Sequence, residues 1–495
     1  MEKGKDIIAR DSDNNIYAYQ LKSANNGRIT MGQWQDINRQ LFDLVTLDVD
    51  HVSVNSANKK YHRSFLVTNG YIDEDVSTAI NDLNRGFEKG GRPECKLEVF
   101  SRGDLFEMAK ELGSDLWPSE LIDVRTFLEM HLEDGKGLLP KEKLCNLFES
   151  SFKLSADDQL SNAECQRVIS AAALICSLSI NSFTNRSNYV AEIEAWVLYI
   201  SYVYCLVEKY SLPEKHWKNS VDIAKMQISA LLENLVNELK GRTNYIEGDF
   251  PTDIIFYKER ITKLISLLSI YGLMEKHGQV QITEDIKSFI EKFIKDKMKL
   301  IIVWGEAAIP QFMAFYWFYR KLDATQRSVA FLASIIRAFL KRNKNNSSNP
   351  YPNPYYDIEQ LFSSNLGMAE DLVDEKFDGY SYMLEGLFYI YVKHNYKNRC
   401  KMMWSEYSKI KSIYFDFDTI KDFYRWKNNN GNTKIKDQKR EKKWQELKNE
   451  AFECRDEWIP LLIKNDPIFL LLLMIVIPHR FDSRIARWLD TRIDG

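Results

Sequence analysis

From about residue 120 to the C-terminus, apolar residues recur at helical spacing almost without interruption, and this limits the fold more than any other feature. Cys165–Ile180, Val221–Leu239, Ile254–Tyr271, Ala307–Leu340 and Phe377–His394 each read as helix. Tyr189–Tyr210 is apolar on most faces, which predicts a helix at the centre of a bundle. Arg342–Tyr355 and Asn428–Lys436 interrupt the pattern, and their Asn, Ser, Gly and Pro content reads as exposed loop. No fixed-period repeat is visible.

The first 113 residues differ. Asp6–Arg10 and Ile16–Lys22 flank a polar turn, Asp11 to Asn15, as a hairpin does. Met31, Trp34, Ile37, Leu41 and Leu44 follow at helical spacing. Ser64–Thr68 and Leu97–Phe100 read as strands, a helix capped by Asp73 lies between them, and Asp104–Leu112 reads as a further helix. The expected fold is an α/β N-terminal domain, a mixed sheet flanked by helices, followed by a large all-α region. The expected domains are 1–115, 120–341 and 356–495, the last two separate or continuous.

Lys and Arg number 67 against 70 Asp and Glu, so the net charge of −3 advertises no general affinity for nucleic acid. Seven cysteines, none in CxxC spacing, argue against a disulfide scaffold or zinc ribbon and fit a reducing cytoplasm. The N-terminus lacks the apolar core of a signal peptide. The longest apolar run, Pro467–Pro478, spans about 18 Å as a helix, short of the ~30 Å hydrocarbon layer, so no membrane partner is expected. No HExxH pair or GxxxxGK[ST] loop occurs, so neither a zincin nor a P-loop ATPase is indicated.

The hairpin carries the chemistry. Alternation along a strand puts Gln20 and Lys22 on one face. A pairing centred on Asp13 sets Asp6 opposite Gln20, with Cβ atoms about 4.5–5.5 Å apart. A carboxylate, an amide oxygen and an ammonium then converge. Asp6 and Gln20 can ligand a hard Mg²⁺ (Mn²⁺ as substitute), which keeps several waters. Such an ion activates a water and screens a phosphate, and Lys22 can stabilise the growing charge.

These residues resemble the PD-(D/E)xK nuclease superfamily, and most closely Mrr-like restriction endonuclease domains with Gln in place of an acidic residue. The shared pattern is Gly4-Lys5-Asp6-Ile7, a hairpin, then Gln20-Leu21-Lys22. It continues in Phe65–Tyr71, with its Thr68-Asn69-Gly70 turn, and in Leu97–Phe100 followed by Gly103-Asp104-Leu105. The resemblance covers residues 1–112 and implies a restriction-endonuclease-like fold and a metal-dependent DNA endonuclease with Asp6, Gln20 and Lys22 as catalytic residues. Five residues precede Asp6, where the family has a helix and a strand, so Glu2 is an accessory candidate for that helix's acid, with the helical region or another subunit completing the sheet as the alternatives. Gln33 and Gln35 start the next helix, and Gln35 is a further accessory residue.

Residues 1–115 hold 15 Lys and Arg against 19 Asp and Glu, so DNA contact must use local patches. The expected contacts are Lys59, Lys60 and Arg63, and Lys439, Arg440, Lys442 and Lys443 within the basic stretch Lys427–Lys448. The helical region carries no catalytic signature and is expected to sense, recognise or assemble, as in restriction or anti-phage defence proteins, with a partner defence protein as one binding option. A homo-oligomer is expected, since one site cuts one strand. The alternatives are an inactive nuclease-like scaffold and an RNA-cleaving nuclease.

Overall fold

The computed structural model describes residues 5–11, 13, 15–24, 27–49, 61–108, 121–154, 159–241, 254–323, 325–344, 351–356, 358, 360, 379–416, 419–425, 432–453 and 459–493. The chain divides into two compact units, Met1–Leu116 and Trp117–Gly495.

The first unit is built on strands β1 (Ile7–Arg10), β2 (Ile16–Lys22), β4 (His62–Thr68) and β6 (Leu97–Phe100), in the order β1-β2-β4-β6. β1 and β2 are antiparallel, and β2, β4 and β6 are parallel, which makes the sheet mixed. Ile7 pairs with Tyr19 and Arg10 with Ile16, so the hairpin is centred on Asp13, as its sequence predicts. The turn lacks Asn-Gly and is held by Asp11 instead. The Asp11 carboxylate accepts hydrogen bonds from the Asn15 side chain (2.8 Å), the Tyr17 hydroxyl (2.8 Å) and the backbone N–H of Asn15 and Asp13. Asn15 and then Tyr17 lower the Asp11 carboxyl to about 2.

Helices α1 (Met31–Thr46) and α2 (Glu74–Lys89) supply Trp34, Leu41, Leu44, Val76 and Ile80 to one core with Ala18, Leu66 and Leu97 of the sheet. Residues 102–108 form a further helix, α3. Two short strands, β3 (Arg28–Ile29) and β5 (Tyr71–Ile72), pair in parallel beside the sheet. They are too short for periodicity to reveal.

The second unit is largely helical. Its core is one continuous cluster running from Met130 to Ile493, so the stretches 120–341 and 356–495 share it. Tyr189–Tyr210 is a single helix, buried from Ala191 to Val207 except at Trp196, which is partly buried. Among the described residues it is the one helix long and apolar enough to cross a membrane, and 89% of its most apolar window is buried in the unit.

Three expectations for this region change. The region is not purely helical: strands β7 (Tyr380–Ser381), β8 (Lys411–Asp416) and β9 (Asn432–Lys436) form a three-stranded sheet. β9 falls where the polar composition read as loop, and it is stabilised by antiparallel pairing with β8. The expected helix Phe377–His394 contains β7 followed by a helix at Leu384–Lys393. Ala307–Leu340 divides into helices Ile309–Leu322 and Arg327–Arg342. At the break Gln326 has φ +57°, and the Asp323 carboxylate accepts from Thr325 N–H (3.0 Å) and Ser328 N–H (2.7 Å).

Buried charges tie this unit together. Asp490, 3% exposed, receives the Trp317 indole N–H at 2.9 Å, and Lys393 and Arg320 lie at 2.6 and 3.2 Å. Glu306, 2% exposed, has no such cation among the described residues. It accepts from Ser381 Oγ (2.6 Å) and Tyr382 N–H (2.9 Å), and burial pushes its carboxyl up to about 8. Folded Glu306 therefore keeps its proton between its ordinary value of 4.5 and about 8, while the unfolded chain loses it. Stability should fall by about 1.4 kcal/mol per pH unit across that window from this group alone. Glu306→Gln keeps an acceptor and removes the charge, so denaturation midpoints from pH 5 to 8 should decline less steeply than in the wild type.

Candidate functional site

β2 lies between β1 and β4, and its alternation sets the site. Ile16, Ala18, Gln20 and Lys22 share one face with their partners His62, Ser64, Leu66 and Thr68. This is the face that α1 and α2 cover, and Gln20 is only 4% exposed on it. Tyr17, Tyr19, Phe65 and Phe100 lie on the other face, with ring centroids 4.9–6.3 Å apart from strand to strand.

Asp6 stands one residue before β1. Its N–H donates to Tyr19 O at 2.8 Å. Its Oδ2 accepts from Gln20 Nε2 at 2.5 Å and from Leu21 N–H at 2.7 Å. The second contact replaces a ladder hydrogen bond where β1 has ended. Lys5, 4% exposed, donates to Leu47 O at 2.9 Å and so ties the strand's start to the end of α1.

Asp6 and Gln20 are thus brought together. Gln20 Oε1 is buried and has no hydrogen-bond partner among the described residues. Lys22 shares the face of Gln20, and its ammonium donates to Gln40 Oε1 on α1 at 2.6 Å. An ammonium has three donors, so two remain for other acceptors. Gln40 was not anticipated from the sequence. Its only signal is its place beside Leu41, at the margin of the stripe Trp34, Ile37, Leu41 and Leu44.

Lys22 and Thr68 lie at the carboxyl ends of two parallel strands, where open α/β sheets bind ligands. The loops there are knit closely. Ala24 N–H donates to Asn69 Oδ1 (2.8 Å), and Tyr71 N–H to Gly27 O (2.9 Å). A Cβ on Gly70 would fall 2.4 Å from Ala24 Cβ and 3.0 Å from the Gly27 backbone, so the turn after Thr68 has room only for glycine.

Other expected residues stand apart. Gln33 Oε1 accepts from Thr30 N–H at 3.2 Å, closing the N-terminus of α1, and Gln35 is exposed on that helix. Arg63 pairs with both Glu98 oxygens at 2.8 Å and lies over Tyr17 and Phe65, on the face opposite Gln20 and Lys22. Lys442, with a 4% exposed side chain, pairs with Glu450 at 2.6 Å. Lys439 pairs with Glu446 at 3.3 Å, whereas Arg440 and Lys443 are exposed. Glu2, Lys59, Lys60 and Lys427 lie outside the described residues. Among the described residues no three His, Cys, Asp or Glu side chains cluster as a metal cage.

Comparison with protein-family models, curated proteins and solved structures gives no match.

The Asp6 contacts set a stability test apart from any activity. Asp6→Ala leaves the Leu21 N–H without its acceptor and the buried Gln20 amide bonded at neither end. Loss of one such hydrogen bond costs about 1 kcal/mol. Amide hydrogen exchange in residues 16–22 should accelerate roughly 5-fold or more, with exchange in the 189–210 helix unchanged.

Proposed function

We propose that the first unit is a metal-dependent DNA endonuclease and that the chain is an effector of a bacterial restriction or anti-phage defence system acting in the cytoplasm. One observation carries this reading. Asp6 and Gln20 meet at 2.5 Å where β2 and β4 end, with Lys22 two residues along the same face.

The pair suits a hard divalent ion in the donors it offers. Asp6 gives an anionic oxygen, and Gln20 Oε1 is a buried acceptor lacking a partner. A half-turn of the amide would exchange its N–H₂ for that oxygen beside Asp6. Asp6 and the Gln20 amide oxygen would then hold Mg²⁺ or Mn²⁺, with water and substrate oxygens as the other ligands. When bound, the ion lowers the pKa of a water and screens the scissile phosphate. Lys22 offers its remaining N–H donors to the phosphate oxygens on which charge grows. Gln40 is a positioning residue that fixes the Lys22 ammonium. Each site cuts one strand, so duplex cleavage calls for two copies. The helical unit is assigned sensing or assembly, by analogy of architecture.

A second reading, a nuclease-like scaffold without activity, draws on the Asp6 contacts, since Oδ2 already serves Gln20 and Leu21. Supercoiled plasmid with Mg²⁺, Mn²⁺ or EDTA separates the two, with single-stranded RNA as the competing substrate. Metal-dependent nicking that falls at least about 100-fold in Asp6→Ala and in Lys22→Ala supports the endonuclease. Nicking that survives both substitutions removes this site from the mechanism, and inactivity under every metal favours the scaffold.

A further inference from the structure

A cavity of about 390 Å³ lies in the helical unit, toward the small end of the range for ligand sites. Trp304 and Gln311, at the approach to and first turn of the 309–322 helix, both line it. The Trp304 indole N–H and Gln311 Oε1 are each buried without a hydrogen-bond partner among the described residues, and Gln311 is 5% exposed. Leaving one such group unpaired is unfavourable, because its bond to water is lost and not replaced. Here a donor and an acceptor are orphaned together on one short segment.

The charged groups of the cavity make a different demand. Lys141 and Lys263 lie 3.0 and 3.7 Å from Glu194, and Lys263 lies 3.8 Å from Glu259. All four side chains line the cavity together with Glu142 and Lys143, and the formal charges of the six cancel. They answer one another and leave no net charge for a ligand to balance. Tyr355 and His479 complete the setting, with rings stacked at 5.2 Å and 26° in the same lining.

We infer that this cavity binds a neutral planar heterocycle whose edge carries an acceptor beside a donor, a nucleobase free or as its nucleoside. The acceptor takes the Trp304 N–H, the donor meets Gln311 Oε1, and the ring packs with the Tyr355–His479 pair. An appended phosphate would meet Glu194 and Glu259 as well as the two lysines, so it adds nothing. This binding does not rest on the hydrolysis proposed for the first unit.

The test is isothermal titration calorimetry on the full chain with adenosine, guanosine, cytidine and uridine at millimolar concentration, each beside its free base and its 5′-monophosphate. Saturable binding of at least one base or nucleoside is expected, weakened roughly 5- to 10-fold by Trp304→Phe and by Gln311→Leu. Trp304→Phe keeps a ring in place and decides alone if Gln311→Leu does not fold. No binding of any base or nucleoside overturns the inference, as does binding that the folded variants leave unchanged. A monophosphate that binds more tightly than its nucleoside overturns the neutral ligand.

Discussion

The first unit depends on the register of β2. Because side chains alternate, a slip of one residue against β4 would carry Ala18 and Gln20 to the aromatic face and bring Tyr17 and Tyr19 under α1. Ala18, Leu41, Leu44 and Leu66 are each 0% exposed, so such a slip would break a closed core. The same register sets Gln20 against Asp6 and places Lys22 at the strand's last position. Gln20 is the point where an apolar row gives way to a polar end, and that explains how an amide comes to be 4% exposed there.

Short-range physics made the hairpin, α1, α2 and the two further strands of the sheet legible. Their signals are alternation, helical spacing and an Asp at the N-cap position, each read within one turn or one strand, although the Asp73 side chain makes no cap hydrogen bond. The pairing centre at Asp13 also followed from symmetry about the turn. What stayed hidden was set by distant partners. β9 looks like loop because Lys434 and Lys436 are polar, yet β8 supplies its hydrogen bonds from about twenty residues upstream. Asp323 gave no sign that it would end one helix and cap the next. Gln33 was readable as a first-turn residue, but only coordinates show its oxygen turned to Thr30. Gln40 carried almost no signal, since contact with Lys22 depends on how α1 crosses the sheet.

The basic stretch near residue 440 illustrates how charge in sequence differs from charge available to a partner. Lys442 lies 5.8 Å from the Trp404 ring centroid and bonds Glu450, which also accepts from the Tyr389 hydroxyl at 2.6 Å. Lys436 meets Glu385, a carboxylate 1% exposed, at 2.6 Å. Removing the cation of the second pair strands the buried Glu385 carboxylate, which is unfavourable. These lysines therefore answer a structural demand of the helical unit. Arg63 behaves alike in the first unit, because Glu98 and the aromatic face hold it away from the Lys22 side of the sheet.

Several buried carboxylates in the helical unit are well served. Asp490 and Asp466 each gather several donors, and Glu306 has one for each oxygen. A hydroxyl such as that of Tyr407 can rotate to improve its lot, and an amide can turn to exchange its oxygen and its NH₂, whereas an indole N–H is fixed by the ring that carries it. Gln438 and Trp488 share the deficit of Gln311 and Trp304 but do not line the cavity, so a deficit by itself marks nothing. A matched donor and acceptor in the lining of one cavity, beside charges that already balance, is a more specific condition. It calls for a ligand selected by hydrogen bonding and shape, and it gives net charge no part in that selection.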